Sequence, residues 1–168
     1  TELDPKLVIE ARNKELEYVK KQQVYIKVPM QECYDRTGKR PIGTRWVDIN
    51  KGDASNPEYR SRIVGQELNT YKRDDIFAGT PPLETNKVLL SLAVTEGYGF
   101  TGGNYRKGMK IDFIDATRAY YQASATREIY VELPPGDKEP GMCGKLLKSL
   151  QGTRDAAMNW EATYSKVL

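Results

Sequence analysis

The sequence predicts an α+β fold in which an antiparallel sheet is backed by helices. Both ends of the chain carry apolar residues at helical spacing, and the middle carries two alternating β-type segments around a turn. No glycine-rich phosphate loop marks the chain as a doubly wound nucleotide-binding sheet. With 168 residues, 39% of them hydrophobic and 29% charged, the chain is long enough for one sizeable core or two small lobes. No run approaches the roughly 18 apolar residues of a membrane span, so we expect none.

The first element is an amphipathic helix. Asp4 is a good N-cap, and Pro5 suits the first helical position. Apolar residues then mark one face as far as about Lys21: Leu7, Val8, Ala11, Leu16 and Val19. The β-branched segment VYIKV at 24–28 predicts a strand that stops at Pro29.

A basic β-hairpin follows. TRWVDIN at 44–50 and EYRSRIV at 58–64 flank the turn-forming segment NKGDASNP. On the second strand two sets of side chains alternate: Tyr59, Ser61 and Ile63 against Arg60, Arg62 and Val64. From residue 36 to residue 73 there are nine Lys and Arg against four Asp and Glu. Such a surface suits a polyanionic partner, and an ordinary solvated basic region is the alternative.

Five further segments complete the pattern. The dense apolar segment at 83–97 predicts a buried helix that ends at Gly97. MKIDFID at 109–115 predicts a strand with Met109, Ile111 and Phe113 on one face. EIYVEL at 128–133 and CGKLLKSL at 143–150 predict short strands. The segment 153–168 predicts a helix whose apolar positions are Ala156, Ala157, Trp160, Tyr164 and Val167.

The composition limits the chemistry. The chain has no histidine, and its two cysteines, Cys33 and Cys143, are far apart in the sequence. Zinc fingers, Ser-His-Asp triads and Cys-His nucleophiles are therefore excluded as complete sites in this sequence. Two lone thiols favour a reducing, intracellular compartment, with cytoplasm and nucleus equally open. Oxygen ligands favour magnesium or manganese over zinc.

Five blocks of the sequence occur in the order typical of one family. They are IGTRWV at 42–47, SRIVGQE at 61–67, FAGTPPLETNKVLLSLAV at 77–94, DATRAYYQASATREIYVELPPG at 115–136 and CGKLLKSLQGTRDAAMNW at 143–160. Together they resemble the copia-type retrotransposon reverse transcriptases. The resemblance implies three segments: an N-terminal helix and lead-in strand (1–40), a fingers-like basic hairpin with a helix (41–108), and a partial polymerase palm (109–168).

The register of the resemblance selects one of two aspartates. In the family, the catalytic aspartate begins a stretch that closes on the glycine of P-P-G, and counting back 22 residues from Gly136 gives Asp115. Ala119 and Tyr120 then fall at the matching fifth and sixth positions. Asp115 is also expected at the end of its strand, facing an open cleft. Asp112 is expected inside the strand, as a solvated or salt-bridged residue.

The resemblance implies a metal-dependent site. Asp115 would bind both Mg²⁺ (or Mn²⁺) ions of a two-metal polymerase site, and the carbonyl of Ala116 would help hold the ion bound to the triphosphate. Tyr120 would exclude a 2′-hydroxyl by size, and the alternative is a tyrosine packed in the core.

Further residues would contact the nucleotide. Gln151 and Gly152 would lie beside the incoming dNTP, although copia-type enzymes usually carry Tyr-Gly there. Arg154 would offer a cation to a phosphate. Arg60 and Arg62 on the fingers strand would grip the triphosphate or the template, or would be ordinary surface residues.

One part of the family pattern is missing. These polymerases complete the site with a Y-x-D-D turn, and the tandem aspartates Asp74-Asp75 precede Asp115 and lack the flanking hydrophobic strands. We therefore expect a fragment of a retroelement RNA-directed DNA polymerase that is inactive alone. Its partners would be an RNA or DNA template-primer, dNTP, and a subunit or polyprotein segment covering the open palm edge. The alternatives are a domesticated structural or assembly subunit and a nucleic-acid-binding module.

Overall fold

A computed structural model describes residues 3–53, 55–68 and 82–167 of the protein. The chain forms two compact units, Thr1–Phe77 with Arg118–Leu168, and Ala78–Thr117. In chain order the elements are α1 (Pro5–Lys21), β1 (Tyr25–Pro29), α2 (Met30–Thr37), β2 (Thr44–Asn50), β3 (Tyr59–Gly65), α3 (Leu83–Ala93), a 3₁₀ turn (Tyr105–Lys107), α4 (Ala119–Gln122), β4 (Tyr130–Val131), β5 (Met142–Leu146) and α5 (Ala156–Tyr164). Helices and antiparallel sheets confirm the α+β class; the three-segment division by resemblance stays a prediction.

The N-terminal helix is confirmed. The Asp4 side chain caps α1 by accepting a hydrogen bond from the backbone N of Lys6 at 2.8 Å. The sequence pattern missed α2, which follows β1 directly after Pro29 and ends at Gly38 in the left-handed conformation. A glycine just past the last turn is a common helix terminator, and it was the available signal.

Two antiparallel sheets lie in the first unit. One has the strand order β1-β5-β4, and in it Val28 pairs with Cys143 and Tyr130 pairs with Lys145. The other is the predicted hairpin of β2 and β3, in register at Trp46 and Ile63. Burial alternates along β3, which confirms the predicted two faces.

The main core lies among α1, β3, α4, β4, β5 and the segments that join them. Its buried members are Leu16, Val19, Val24, Ile63, Tyr121, Ile129, Val131, Leu146 and Leu150. Trp46 packs against this cluster, and its Nε1 donates a hydrogen bond to the carbonyl of Pro135 at 3.1 Å. A second cluster contains Val28, Cys33, Tyr130 and Cys143.

Two expectations for the second unit are wrong. No residue of α3 is buried, since Val88, Leu89 and Leu90 are about half exposed. A unit this short has too little chain to cover an apolar helix. The predicted strand at 109–115 is also not formed, and Phe113 is 85% exposed. A strand needs a neighbour for its backbone groups, and the part of the chain that the structure describes supplies none there.

The described helices include none with both the length and the apolar character needed to cross a membrane.

Candidate functional site

Asp115 lies in the second unit, in irregular backbone. Its side chain is exposed, and Ala116 is half-buried. Asp112 is exposed in the same irregular segment. Because no strand forms there, the argument from the strand end does not hold, and the choice of Asp115 over Asp112 depends on the spacing to Gly136.

The residues that the structure describes do not assemble a metal site. Within residues 3–53, 55–68 and 82–167, no three Cys, Asp or Glu side chains cluster in a way that could hold a metal ion. Two-metal chemistry needs several anionic oxygen ligands, and Asp115 supplies one carboxylate. Asp74 and Asp75 lie outside the described residues. A Mg²⁺ or Mn²⁺ site at Asp115 therefore requires ligands beyond those described.

Tyr120 lies on the short helix α4 and is half-buried. The neighbouring Tyr121, at 5% exposed, is the tyrosine that packs in the main core. The core position that was the alternative for Tyr120 is thus taken by Tyr121. Tyr120 is left partly accessible, and its role at the sugar stays a prediction.

A buried carboxylate on α1 holds the start of α4. Glu15, 2% exposed, accepts a hydrogen bond from Arg118 Nε at 2.8 Å and another from the Tyr121 hydroxyl at 3.0 Å. The Arg118 guanidinium lies 4.0 Å from the ring centroid of Tyr18. Burial, then the charge and hydrogen bond of Glu15, raise the pKa of Tyr121. The Glu15 cluster, defined as Glu15, Tyr18, Arg118 and Tyr121, fixes the backbone before Tyr120.

Sequence reasoning missed this cluster, although a signal was present. Ala11, Glu15 and Val19 recur every four residues and therefore share one face of α1. A carboxylate in an apolar stripe is rarely buried unless it is paired. The unusual backbone of Arg118, with a positive φ of 48°, is seen only in the structure and was not a sequence signal.

Gln151 and Gly152 form a turn against the end of β3. The backbone N of Gly65 donates to the carbonyl of Gln151 at 2.7 Å, and the backbone N of Glu67 donates to the carbonyl of Gly152 at 3.3 Å. Gly152 has a φ of +85°, and a Cβ there would collide with the carbonyl oxygen of Gly65. Only glycine fits this close backbone approach.

An ion-pair junction supports the turn. Arg127 Nη2 donates to Glu67 Oε2 at 2.6 Å and to Asp155 Oδ1 at 3.0 Å. The backbone N of Arg154 donates to the same Glu67 oxygen at 2.8 Å. The turn junction, defined as Glu67, Arg127, Arg154 and Asp155, joins the chain after β3 to the start of α5.

Burial and pairing act in opposite directions on the ionisable groups of the turn junction. Burial alone would raise the pKa of Asp155, but the hydrogen bond and charge of Arg127, with smaller hydrogen-bond contributions, together lower it below its ordinary value. Burial disfavours the charged Arg127, yet its bonds to Glu67 and Asp155 raise its pKa. Sequence reasoning placed Asp155 near a helix start and did not single out Glu67 or Arg127.

The exposed face of the hairpin carries the predicted arginines. Arg60 and Arg62 point to solvent on β3, paired across the ladder with Ile49 and Val47. The two apolar partners are themselves 39% and 37% exposed. Arg45 lies on the same face of β2 and is also exposed. This hairpin face therefore presents cations and apolar surface to solvent.

The structure thus brings together only part of the predicted set. Gln151, Gly152 and Arg154 meet the end of β3, while Asp115 and Ala116 belong to the second unit. Arg60 Nε donates a hydrogen bond to Glu58 at 2.9 Å. Arg62, the other cation of β3, forms no ion pair with the residues that the structure describes.

Comparisons with known proteins match the chain to reverse transcriptases and to Pol polyproteins of transposons. The family model described as reverse transcriptase (RNA-dependent DNA polymerase) matches residues 32–168. The chain is 28% identical over 126 residues to the retrovirus-related Pol polyprotein from transposon RE1 of Arabidopsis thaliana, and 27% identical over 126 residues to that from transposon RE2. Each alignment covers 71% of this chain and 8% of the polyprotein. No solved structure matches.

Proposed function

Because the chain belongs to the reverse transcriptase (RNA-dependent DNA polymerase) family, we propose that it is part of the RNA-directed DNA polymerase of a copia-like retroelement. The single observation that carries this proposal is the family match over residues 32–168. That range includes Asp115, Tyr120, Gln151 and Gly152 in the expected order.

We propose that the 168-residue chain does not polymerise by itself. The described residues contain no ligand set for a divalent metal, and the sequence contains no Y-x-D-D turn after Asp115. A further polyprotein segment or another subunit would have to supply the missing carboxylates and a strand partner for residues 109–115, which form no strand in the structure. The Pol polyproteins that match are far longer than this chain, which spans 8% of their length.

The chain's own residues would then act in binding. The hairpin face, with Arg45, Arg60 and Arg62, has the charge to contact phosphates of a template-primer. The turn at Gln151 and Gly152 is rigid, since it is hydrogen-bonded to β3 and supported by the turn junction. Such rigidity suits a surface that positions a nucleotide.

A salt titration of binding tests the nucleic-acid part of this proposal. The purified chain would be titrated with a labelled RNA–DNA primer-template at several salt concentrations. The slope of log K against log salt is negative, and each lost phosphate contact makes it shallower by about one. The double variant Arg60→Ala/Arg62→Ala should therefore reduce the steepness of the slope by about two.

A matched control separates site from total charge. Lys6 and Lys14 are exposed on α1. The double variant Lys6→Ala/Lys14→Ala removes the same charge from the helix. It should leave the slope nearly unchanged. Equal slopes for both double variants would contradict a hairpin contact. Absence of binding by the wild-type chain would favour a structural or assembly subunit derived from this fold.

A further inference from the structure

The two cysteines of the chain meet in the folded first unit. Cys33 on α2 and Cys143 on β5 belong to the second core cluster, and they are 1% and 0% exposed. They are 110 positions apart in the sequence, which gave no reason to pair them.

The backbone explains why they meet. Val28 is the cross-strand partner of Cys143, and β1 runs directly into α2 at Met30. The backbone N of Met30 donates to the carbonyl of Gly141 at 2.8 Å, which ties the start of α2 to the start of β5. Cys33 lies one helical turn after Met30, so α2 places its thiol over the strand that carries Cys143.

The two thiols differ in their surroundings. The Cys33 thiol lies 3.4 Å from the carbonyl oxygen of Lys39, to which it donates, and 3.7 Å from Thr37 Oγ1. Burial, with the neighbouring Cys33, raises the pKa of Cys143 to about 11. Cys143 therefore stays protonated near neutral pH and is a poor initial nucleophile.

Cys33 borders a cavity of the first unit, whereas Cys143 is not among the residues that line it. The cavity has a volume of about 580 Å³. Charged side chains around this cavity are four cations and two carboxylates: Lys39, Arg40, Arg127, Arg154, Glu67 and Glu128. Lys39 and Arg40, which form no ion pair among the described residues, give the lining a positive charge that suits a small reagent carrying carboxylates.

We propose that Cys33 and Cys143 are a thiol–disulfide exchange site, which a small anionic disulfide converts to an intrachain disulfide. The Cys33 thiolate attacks one sulfur of the reagent, forms a mixed disulfide and releases one reagent thiolate, which takes up a proton. Cys143 then loses its proton and attacks Cys33 Sγ, which releases the second reagent thiol. Two protein thiols are oxidised, and one reagent disulfide is reduced to two thiols.

Oxidation would alter the stability of the first unit. The bond would join α2 to β5 and close a loop of most of the chain, which restricts the unfolded state more than a short loop does. The oxidised chain should therefore unfold at a higher temperature than the reduced chain, and a reducing agent should reverse the shift.

The test uses the wild-type chain and two serine variants, each incubated with glutathione disulfide without denaturant. The mass of the wild type should fall by two hydrogens, and its product should carry no bound glutathione. A peptide map should show the peptides of Cys33 and Cys143 joined by a disulfide. Cys143→Ser should stop at the mixed disulfide on Cys33. Cys33→Ser should stay unmodified until urea unfolds it, because Cys143 is fully buried and does not line the cavity.

Two results would overturn the proposal. One is a wild-type chain that carries no intrachain disulfide after incubation. The other is Cys33→Ser reacting as fast as Cys143→Ser without denaturant, with circular dichroism showing both variants folded. If either variant does not fold, the wild-type mass and peptide map decide alone.

Discussion

Replacing Gly152 by alanine tests the geometry of the turn beside β3. Gly152 has a φ of +85°, in the region that side chains disfavour. The added Cβ would also meet the carbonyl oxygen of Gly65 and Cγ1 of Val64. The substitution therefore carries two separate costs, one conformational and one steric.

The magnitude follows from these two contributions. A left-handed backbone costs a non-glycine residue about 1–2 kcal/mol. Overpacking against neighbours that cannot move costs about 1–3 kcal/mol more. The neighbours here include backbone, because Gly65 is hydrogen-bonded to the carbonyl of Gln151. We expect Gly152→Ala to lower the free energy of unfolding by about 2–5 kcal/mol in total.

A second glycine separates the two contributions. Gly141 has a φ of +72°, and nothing lies within 4 Å of the position of its Cβ. Gly141→Ala should therefore show the conformational cost alone, about 1–2 kcal/mol. Urea denaturation followed by circular dichroism measures both variants against the wild type. Equal losses of unfolding free energy in the two variants would show that the backbone at Gly65 moves to accommodate the Cβ. That result would refute a steric cost at Gly152.

Two further substitutions test two paired carboxylates of the first unit, Glu15 and Asp48. Glu15→Gln weakens the hydrogen bonds to Arg118 and Tyr121, so it should lower the free energy of unfolding in urea by about 1.5–3 kcal/mol. The control Glu10→Gln changes an exposed residue of the same helix and should lower it by almost nothing. A small and equal loss in both variants would contradict a stabilising role of the Glu15 cluster. The hydrogen bond from Arg12 to Asp48 holds the pKa of Asp48 below 3.8, so its stabilising contribution is complete above the unfolded pKa of about 3.9 and disappears as the pH falls through the folded pKa. The stability difference between the wild type and Asp48→Asn should thus be constant near neutral pH and shrink in acid, and a difference that does not change below pH 3.8 would exclude this pair as its source.

Local signals explain which parts of the fold could be predicted. The N-cap at Asp4 and the alternation along β3 depend on neighbouring residues, and both are confirmed. The strand expected at 109–115 depends on a distant partner, and it does not form among the described residues. The helix α2 is only eight residues long, and its ending glycine was a weak signal.

In the candidate site, too, features set by neighbouring residues could be predicted, and contacts between distant residues could not. The order of motifs was enough to single out Gln151 and Gly152, because each occupies a fixed place in a block. Chain order alone could not show that Arg127 bridges Glu67 and Asp155, which are 60 and 28 positions away. It also could not place Glu15 beside Arg118, which is 103 positions away.

Primer extension tests the assignment of Asp115 most directly. The measurement compares the 168-residue chain with a longer segment, in which the same chain is extended by a reverse transcriptase region that carries a Y-x-D-D turn, both with Mg²⁺, dNTP and an RNA-primed or DNA-primed template. Asp112 is the matched control, because it is an exposed aspartate in the same segment. We expect extension by the longer segment and by its Asp112→Asn variant, and none by its Asp115→Asn variant or by the 168-residue chain. Extension by the chain alone, or by the Asp115→Asn variant, would contradict the account.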